Sequence, residues 1–150
     1  DVSGFFIPRK EFFLDQYLYH VPLVRLYRKS KASYTGMVHE MLQVSGKLSH
    51  LKHEMIHENY LHTLDQIKTY VQKADLYSTL EARQLFALYP DRSMFCIFLR
   101  GFFQSCKMFL GLLLYKRLLF KGLPGMIWSV LSAYTELIVM MKWYELVEKK

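Results

Sequence analysis

The feature that most constrains the fold is a change of pattern at about residue 60. Before it, apolar residues come in short runs broken by turn residues, and the run Pro22–Lys29 alternates apolar and basic residues at period two, as a half-buried strand does. After it, apolar residues recur at helical spacing over long stretches. We therefore predict an α+β chain in two parts, residues 1–60 with short strands and loops, and residues 61–150 with three long helices.

Turn and breaker residues divide the first part. Pro8 excludes a helix interior from Gly4 to Lys10. The segment from Met37 to Leu51 predicts two short strands joined at Ser45-Gly46. The segment from Lys10 to His20 has an alternative interpretation as a helix of more than two turns.

Helix signals divide the second part. Thr63 and Gln66 have the spacing of a capping box at the start of a helix that ends before Pro90. A second helix is predicted from about Ser93 to Phe120 and a third from about Gly125 to Val147. The apolar face predicted for the first helix consists of Leu64, Ile67, Val71, Ala74, Tyr77 and Leu85.

Basic charge is concentrated in the most apolar stretch of the chain. The net charge is +7, and the stretch from Arg92 to Lys121 holds six basic residues and no acidic one. Basic residues set among Phe, Leu and Met are typical of an anionic membrane surface and not of a nucleic-acid interface. The alternative is a buried helical bundle with a basic rim.

The two late helices are predicted to lie in the membrane interface. Arg100, Gln104, Lys107 and Gly111 are spaced to form one polar stripe on a helix that is otherwise apolar, so we do not expect a span there. The third helix is closer to spanning length. Its stripe of Ser129, Ser132 and Glu136 has an alternative role, which is to face the basic stripe of its neighbour.

The segment from His53 to His57 reads HExxH, the pattern of a zinc peptidase. That chemistry needs both His side chains on one face of a helix, with the Glu as general base. Here the motif precedes the predicted helix and follows strand-like residues. We therefore predict surface polar residues that flank a buried Met55-Ile56 pair, and no metal site.

The two cysteines, Cys96 and Cys106, fall in one predicted helix, about 15 Å apart along its axis. A disulfide needs Cα atoms within about 7 Å. We expect two free thiols, as in a reducing compartment.

Several blocks of the sequence, in order, carry a resemblance to a known family. They are GFFIPRKEFFL (4–14), RLYRK with YTGMVHE (25–29 and 34–40), GKLSHLKHEMIHENY (46–60), YSTLEAR (77–83), and FKGLPG, LSAY and KWYEL (120–146). Together they resemble the C-terminal half of family 2 glycosyltransferases, in the branch of lipopolysaccharide core and bacterial surface-glycan transferases. The resemblance covers nearly the whole chain.

The resemblance implies a GT-A fold whose later part supplies the acceptor side and helices that approach the membrane. The substrates it implies are a nucleotide sugar and a glycan or lipid-linked acceptor, used in cell-envelope polysaccharide synthesis. It also implies a cytoplasmic, peripheral location on the inner face of the cytoplasmic membrane. A divalent metal, Mg or Mn, would be held mostly by residues of the N-terminal half.

The resemblance also assigns site residues. Glu40 matches the position of the catalytic base, and an inverting transferase needs such a group to take the proton of the acceptor hydroxyl. His39 beside it would orient the base or reach a phosphate or the metal. Arg25 and Arg28 match residues that steady the departing diphosphate, and His57 matches a recurrent His that we group with them as diphosphate-binding.

The chain begins at Asp1 without an initiator Met and holds no Asp-x-Asp pair, so we expect a fragment that lacks its donor site and is inactive alone. Two other hypotheses stand beside this one. The first is a non-catalytic helical module at a membrane surface. The second, remote, is the HExxH zinc peptidase.

Overall fold

The computed structural model describes residues 1–35, 41–57 and 64–150. Within these residues six strands precede three long α-helices, so the predicted α+β class is confirmed. The chain divides into two compact units, Asp1–His62 and Thr63–Lys150. Each unit is described by itself below.

The first unit is built on a hairpin of β1 (Gly4–Phe13) and β2 (Gln16–Tyr27). Leu14 and Asp15 connect the strands and both have positive φ, 47° and 58°, as a type I′ hairpin turn requires. The helical alternative for residues 10–20 is therefore wrong. Phe13 and Leu18, fully buried on either side of the turn, favour the strand pairing over a helix.

Two short strands extend the hairpin into a four-stranded sheet. β5 (Leu48–His50) runs parallel to the start of β1 and pairs with Gly4–Phe6, whereas β6 (Met55–His57) runs parallel to its later part and pairs with Arg9–Glu11. Pro8 lies in the gap between these two ladders. A proline has no N–H to donate, so the interruption falls where β1 has no donor for a second neighbour.

A separate two-stranded ladder joins β3 (Ala32–Thr35) to β4 (Met41–Val44) in antiparallel register. A 3-10 turn, Lys29–Lys31, links β2 to β3. The predicted turn at Ser45-Gly46 is present, with φ of 109° at Gly46. The strands on its two sides do not form a hairpin, because β4 pairs with β3 and β5 pairs with β1.

The second unit begins with α1 (Gln66–Leu88). Its N-cap is Asp65, so Gln66 is the first helical residue and does not occupy the third position of a capping box. The predicted capping box is therefore wrong about the position of Gln66. Its other residue, Thr63, lies outside the described residues. The helix ends before Pro90, as predicted.

The buried face of α1 is made of small residues. Ala74, Ser78 and Ala82, spaced four apart, are at most 6% exposed, whereas Leu64 of the predicted apolar face is 90% exposed. Small side chains let α1 approach its neighbour closely, and that contact decides which face is buried. The predicted face is therefore wrong at most of its positions, since Ile67, Val71 and Tyr77 are also exposed.

The predicted second helix is shorter than expected and is followed by a reversal of the chain. α2 (Met94–Leu110) begins after Ser93, whose Oγ accepts a hydrogen bond from the Cys96 N–H at 3.3 Å. Gly111–Tyr115 then widens into a π-helical turn, and the chain reverses at Arg117, where φ is 56°. Leu118–Lys121 forms a 3-10 turn that the sequence pattern assigned to the helix. Cys96 and Cys106 are free thiols, as predicted.

α3 (Gly122–Glu148) returns antiparallel to α2 and packs tightly against it. A Cβ placed on Gly101 would lie 2.5 Å from Cβ of Met140, so the helices meet closely there. Ser105 Oγ donates a hydrogen bond across the contact to the Ala133 carbonyl, at 2.9 Å. The core of this unit is the contact of Ala82, Ile97 and Trp143.

The segments Met94–Tyr115 and Leu118–Glu148 are long and apolar enough to cross a membrane, judged by length and composition only. The first meets these criteria despite Arg100 and Lys107, whose stripe argued against a span. The core helix of a soluble protein passes the same test but is mostly buried, whereas only 22% of the apolar window of each segment is buried. Much apolar surface of α2 and α3 is therefore exposed.

Candidate functional site

The two predicted catalytic residues, Glu40 and His39, lie outside the described residues. The strands on either side of them, β3 and β4, pair with each other, and the pair nearest to these residues is Thr35 with Met41. The assignment of Glu40 as base thus stays a prediction.

Arg25 lies at an irregularity of the β1–β2 ladder. Phe5 pairs with Leu26 and Phe6 pairs with Val24, so Arg25 is the extra residue of a β-bulge. Bulges re-aim side chains, and both Arg25 and its neighbour Leu26 are exposed. A guanidinium in this position is accessible to a ligand.

Arg28 lies just beyond the end of β2 and is exposed. Its two terminal nitrogens contact the two carboxylate oxygens of Asp1, at 2.6 and 3.2 Å, in a bidentate pair. The pairing is solvent-exposed and therefore weakly held, so an anionic ligand could displace it. Arg25 is in a bulge of β2 and Arg28 is outside the strand, so strand alternation does not relate their side chains.

His57 contacts the most buried charged residue described in the first unit, Glu11. Nδ1 of His57 lies 2.8 Å from Oε2 of Glu11, across the parallel pairing of β6 with β1. The other carboxylate oxygen, Oε1, lies 2.5 Å from Nε and from Nη2 of Arg9. Glu11 is 6% exposed, so its charge is held between two cationic or hydrogen-bonding partners.

This cluster of Arg9, Glu11 and His57 has a definite chemical character. A carboxylate that accepts from Nδ1–H fixes the imidazole tautomer and leaves the lone pair on Nε2. The imidazole is half-buried, with 31% of the side chain exposed. An imidazole held in this way can bind a metal ion through the Nε2 lone pair, or accept a proton at Nε2 and then donate it to a phosphate oxygen.

Sequence reasoning missed Glu11 and Arg9. The available signal was the charged run Arg9-Lys10-Glu11 in an otherwise apolar strand, in which alternation places Arg9 and Glu11 on one face. Nothing in the sequence indicates which segment covers that face, because the partner, His57, is 46 residues away.

The HExxH segment is extended, as predicted, and not helical. Met55–His57 is a strand and His53 and Glu54 precede it, so His53 and His57 do not share a helix face. Glu54 pairs with Lys10 at 2.6 Å, while His57 contacts Glu11. The hydrogen bond from Lys10 to Glu54, reinforced by the attraction of the two charges, raises the pKa of Lys10. Of the two flanked residues, Met55 is half-buried and Ile56 is exposed, so the predicted buried pair is wrong.

A metal site would need several ligands together. Across residues 1–35, 41–57 and 64–150, no group of three or more His, Cys, Asp or Glu residues is arranged to hold a metal ion. The zinc-peptidase geometry is therefore not formed by these residues.

The helical unit contains a second polar feature, a cavity of about 100 Å³ between the three helices. Its polar lining is Glu81, Arg100, Gln104, Glu136 and Trp143. The Arg100 guanidinium carbon lies 5.9 Å from the centre of the Trp143 ring, a cation–π distance. The cavity thus brings Arg100 and Gln104 of the α2 stripe together with Glu136 of α3, whereas Ser129 donates to the Gly125 carbonyl of its own helix, so the alternative role is seen at Glu136.

Comparison of the chain with protein-family models, with curated proteins and with solved structures finds no match to any of them.

Proposed function

We propose that this chain is the acceptor-side and membrane-docking part of an inverting, nucleotide-sugar-dependent glycosyltransferase that acts on a glycan or lipid-linked acceptor of the bacterial cell envelope. The proposal begins from the order of the sequence blocks. Two of them, residues 4–14 and 46–60, supply β1, β5 and β6 of one sheet.

The observation that carries the proposal is the contact between these two blocks. Glu11 of the first and His57 of the second form a buried, charge-bearing pair, with Arg9 on the other carboxylate oxygen. A buried carboxylate is costly unless it is paired, so Glu11 holds Arg9 and His57 next to each other at the junction of the two blocks. The competing explanation is a structural ion network that joins β6 to β1.

In the proposed reaction, Glu40 takes the proton of the acceptor hydroxyl as its oxygen attacks the anomeric carbon. Arg25 is a cationic group suited to the departing diphosphate, and Arg28 can join it by exchanging Asp1 for phosphate oxygens. His57 can donate a hydrogen bond to the diphosphate when Nε2 is protonated. His39 orients Glu40. A divalent ion is implied by the resemblance alone, and because the described residues form no ligand cluster, no step here runs through it.

The membrane part of the proposal rests on the exposed apolar residues of α2 and α3. The polar helix α1 lies along α3, with Tyr70 Oη 3.2 Å from Thr135 Oγ1 and Lys142 Nζ 2.7 Å from the Asp75 carboxylate. Charged groups on that flank, such as the half-exposed Lys142 pair, are unfavourable in hydrocarbon. This favours a unit that lies in the interface on the cytoplasmic side over one that spans the membrane.

The test is Glu40→Gln in the complete enzyme. The substitution keeps the side-chain shape and removes the proton acceptor, so kcat should fall by at least about a hundredfold with little change in nucleotide-sugar affinity. His39→Ala should cost less, since an orienting group is only indirectly involved. Near-normal turnover of Glu40→Gln with the natural acceptor would exclude Glu40 as the base.

A non-catalytic module at the membrane surface is the second candidate, favoured by the same exposed apolar residues of α2 and α3. It predicts vesicle binding with no effect of Glu40→Gln, Arg25→Gln or His57→Gln on any sugar transfer by the complete protein. Loss of transfer in two of these three variants, with vesicle binding kept, would exclude it.

A further inference from the structure

The reversal between α2 and α3 forms a distinct surface, residues 111–123, which we call the hairpin tip. It contains the π-helical turn Gly111–Tyr115 and the 3-10 turn Leu118–Lys121. Two leucines hold it to the unit, since Leu112 is 9% exposed and Leu118 is fully buried. The tip is therefore a folded element with an inner face.

Large apolar side chains cover the outer face of the hairpin tip. Tyr115 is 84% exposed and Phe120 is 82% exposed, and Leu114 and Leu123 are each 64% exposed. Apolar side chains this exposed on adjacent turns are costly in water and mark an interaction surface.

The charge of the hairpin tip is entirely positive. It holds Lys116, Arg117 and Lys121, and the sequence has no acidic residue between Asp91 and Glu136. Lys116 Nζ lies 5.7 Å from the centre of the exposed Tyr115 ring. Aromatic rings and cations side by side match the headgroup region of an anionic bilayer, where rings sit at the interface and cations reach phosphates.

Arg100 of α2 is exposed and lies away from the hairpin tip. Arg100, the first basic residue of the predicted stripe within α2, lines the cavity with Glu81 and Glu136 and lies against Trp143. The contact with Trp143 engages Arg100 within the unit, whereas the hairpin tip supplies three cations next to exposed aromatic rings.

We propose that the hairpin tip is the element that inserts into an anionic lipid surface, with Tyr115 and Phe120 entering the interface and Arg117 and Lys121 contacting lipid phosphates. This inference rests on the membrane-docking part of the proposed function. It specifies the partner as the bilayer surface and the orientation as tip first.

The experiment measures partitioning of the chain into phosphatidylcholine vesicles with and without phosphatidylglycerol, over a series of salt concentrations. One basic residue near an anionic surface raises the vesicle partition coefficient roughly fivefold. The double substitution Arg117→Gln with Lys121→Gln should therefore weaken binding about 25-fold. Phe120→Ser should weaken it by at least about tenfold. Since Phe120 is exposed, folding should be unchanged, which far-UV circular dichroism checks.

The matched control is Lys149→Gln with Lys150→Gln, which changes the net charge equally at the far end of α3. Those lysines pair with Glu145 and Asp91, away from the tip, so vesicle binding should change only slightly. The inference is overturned if the control weakens binding as much as the tip variants, or if neutral and anionic vesicles bind equally. It is also overturned if Phe120→Ser abolishes self-association of the chain and leaves vesicle binding intact.

Vesicle binding requires no turnover, so its result is independent of the catalytic test. If Glu40→Gln keeps full activity while the tip variants lose binding, the glycosyltransferase assignment fails and the docking surface stands. If Glu40→Gln loses activity while the tip variants keep their vesicle binding, only the docking surface is rejected.

Discussion

The close contact of α2 with α3 at Gly101 leads to a quantitative prediction for two glycine substitutions in one helix segment. A Cβ at Gly101 would lie 2.5 Å from Cβ and Cγ of Met140 and 2.6 Å from its Sδ. Carbon atoms in favourable contact are about 3.5–4.0 Å apart, so the helices must separate. Overpacking of this kind lowers the free energy of unfolding by about 1–3 kcal/mol. The higher helix propensity of Ala relative to Gly offsets about 0.5–1 kcal/mol of that loss. Gly101→Ala should therefore destabilise the helical unit by about 1 kcal/mol.

Gly111 supplies the matched control. It has helical dihedrals, and a Cβ there would meet nothing within 4 Å. Gly111→Ala should therefore stabilise the same unit by about 0.5–1 kcal/mol, since only the backbone propensity changes. The two variants should differ in sign.

The assay is thermal unfolding followed by tryptophan fluorescence, which reports on the helical unit because Trp128 and Trp143 both belong to it. For a unit of this size, 1 kcal/mol corresponds to about 4–8 °C in Tm. We expect Gly101→Ala to lower Tm by several degrees and Gly111→Ala to raise it. Equal stabilisation by both would refute the close approach of α2 and α3 at Gly101.

Two further predictions concern ion pairs. Glu11→Gln should speed amide hydrogen exchange in β1 and β6 about 30-fold, because weakening the buried cluster costs about 2 kcal/mol of local stability. The control, Glu54→Gln, loses only the exposed pair with Lys10 and should have little effect. Equal effects of the two substitutions would reject a structural role for Glu11. The hydrogen bond and charge of Lys149 lower the pKa of Glu145. The contribution of this pair to the stability of the folded state is therefore present above the ordinary carboxyl pKa, and it is lost as the pH falls through the lowered pKa. In an NMR titration, Lys149→Met should return the pKa of Glu145 towards its ordinary value, and an unchanged pKa would contradict the pairing.

The local elements of this protein were largely predictable from short-range signals. Alternating residues and Pro8 predicted strands where β1 and β2 lie, and Ser93 and Pro90 mark boundaries that the structure keeps. These signals act between residues a few positions apart, so they are visible in the sequence. The α+β class follows from them directly.

The second helix was predicted to continue to about Phe120, whereas α2 ends at Leu110 and the chain reverses at Arg117. A non-glycine residue, Arg117, adopts positive φ there, a conformation that costs about 1–2 kcal/mol and is favoured only when packing offsets it. The burial of Leu118 against the unit is such packing. The apolar periodicity alone predicted that the second helix continues through Arg117.

The sequence by itself determined which segments are strands and helices, where the basic charge lies, and that His57 does not belong to a helical zinc motif. Only the tertiary structure decided that Glu11 is buried against Arg9 and His57, that α1 packs through Ala74 and its small neighbours, and that Tyr115 and Phe120 are more than 80% exposed at the hairpin tip. The reason is physical. Burial and charge pairing depend on which distant segments meet, and a single sequence records the local preferences of each segment without the contact that selects one of its faces.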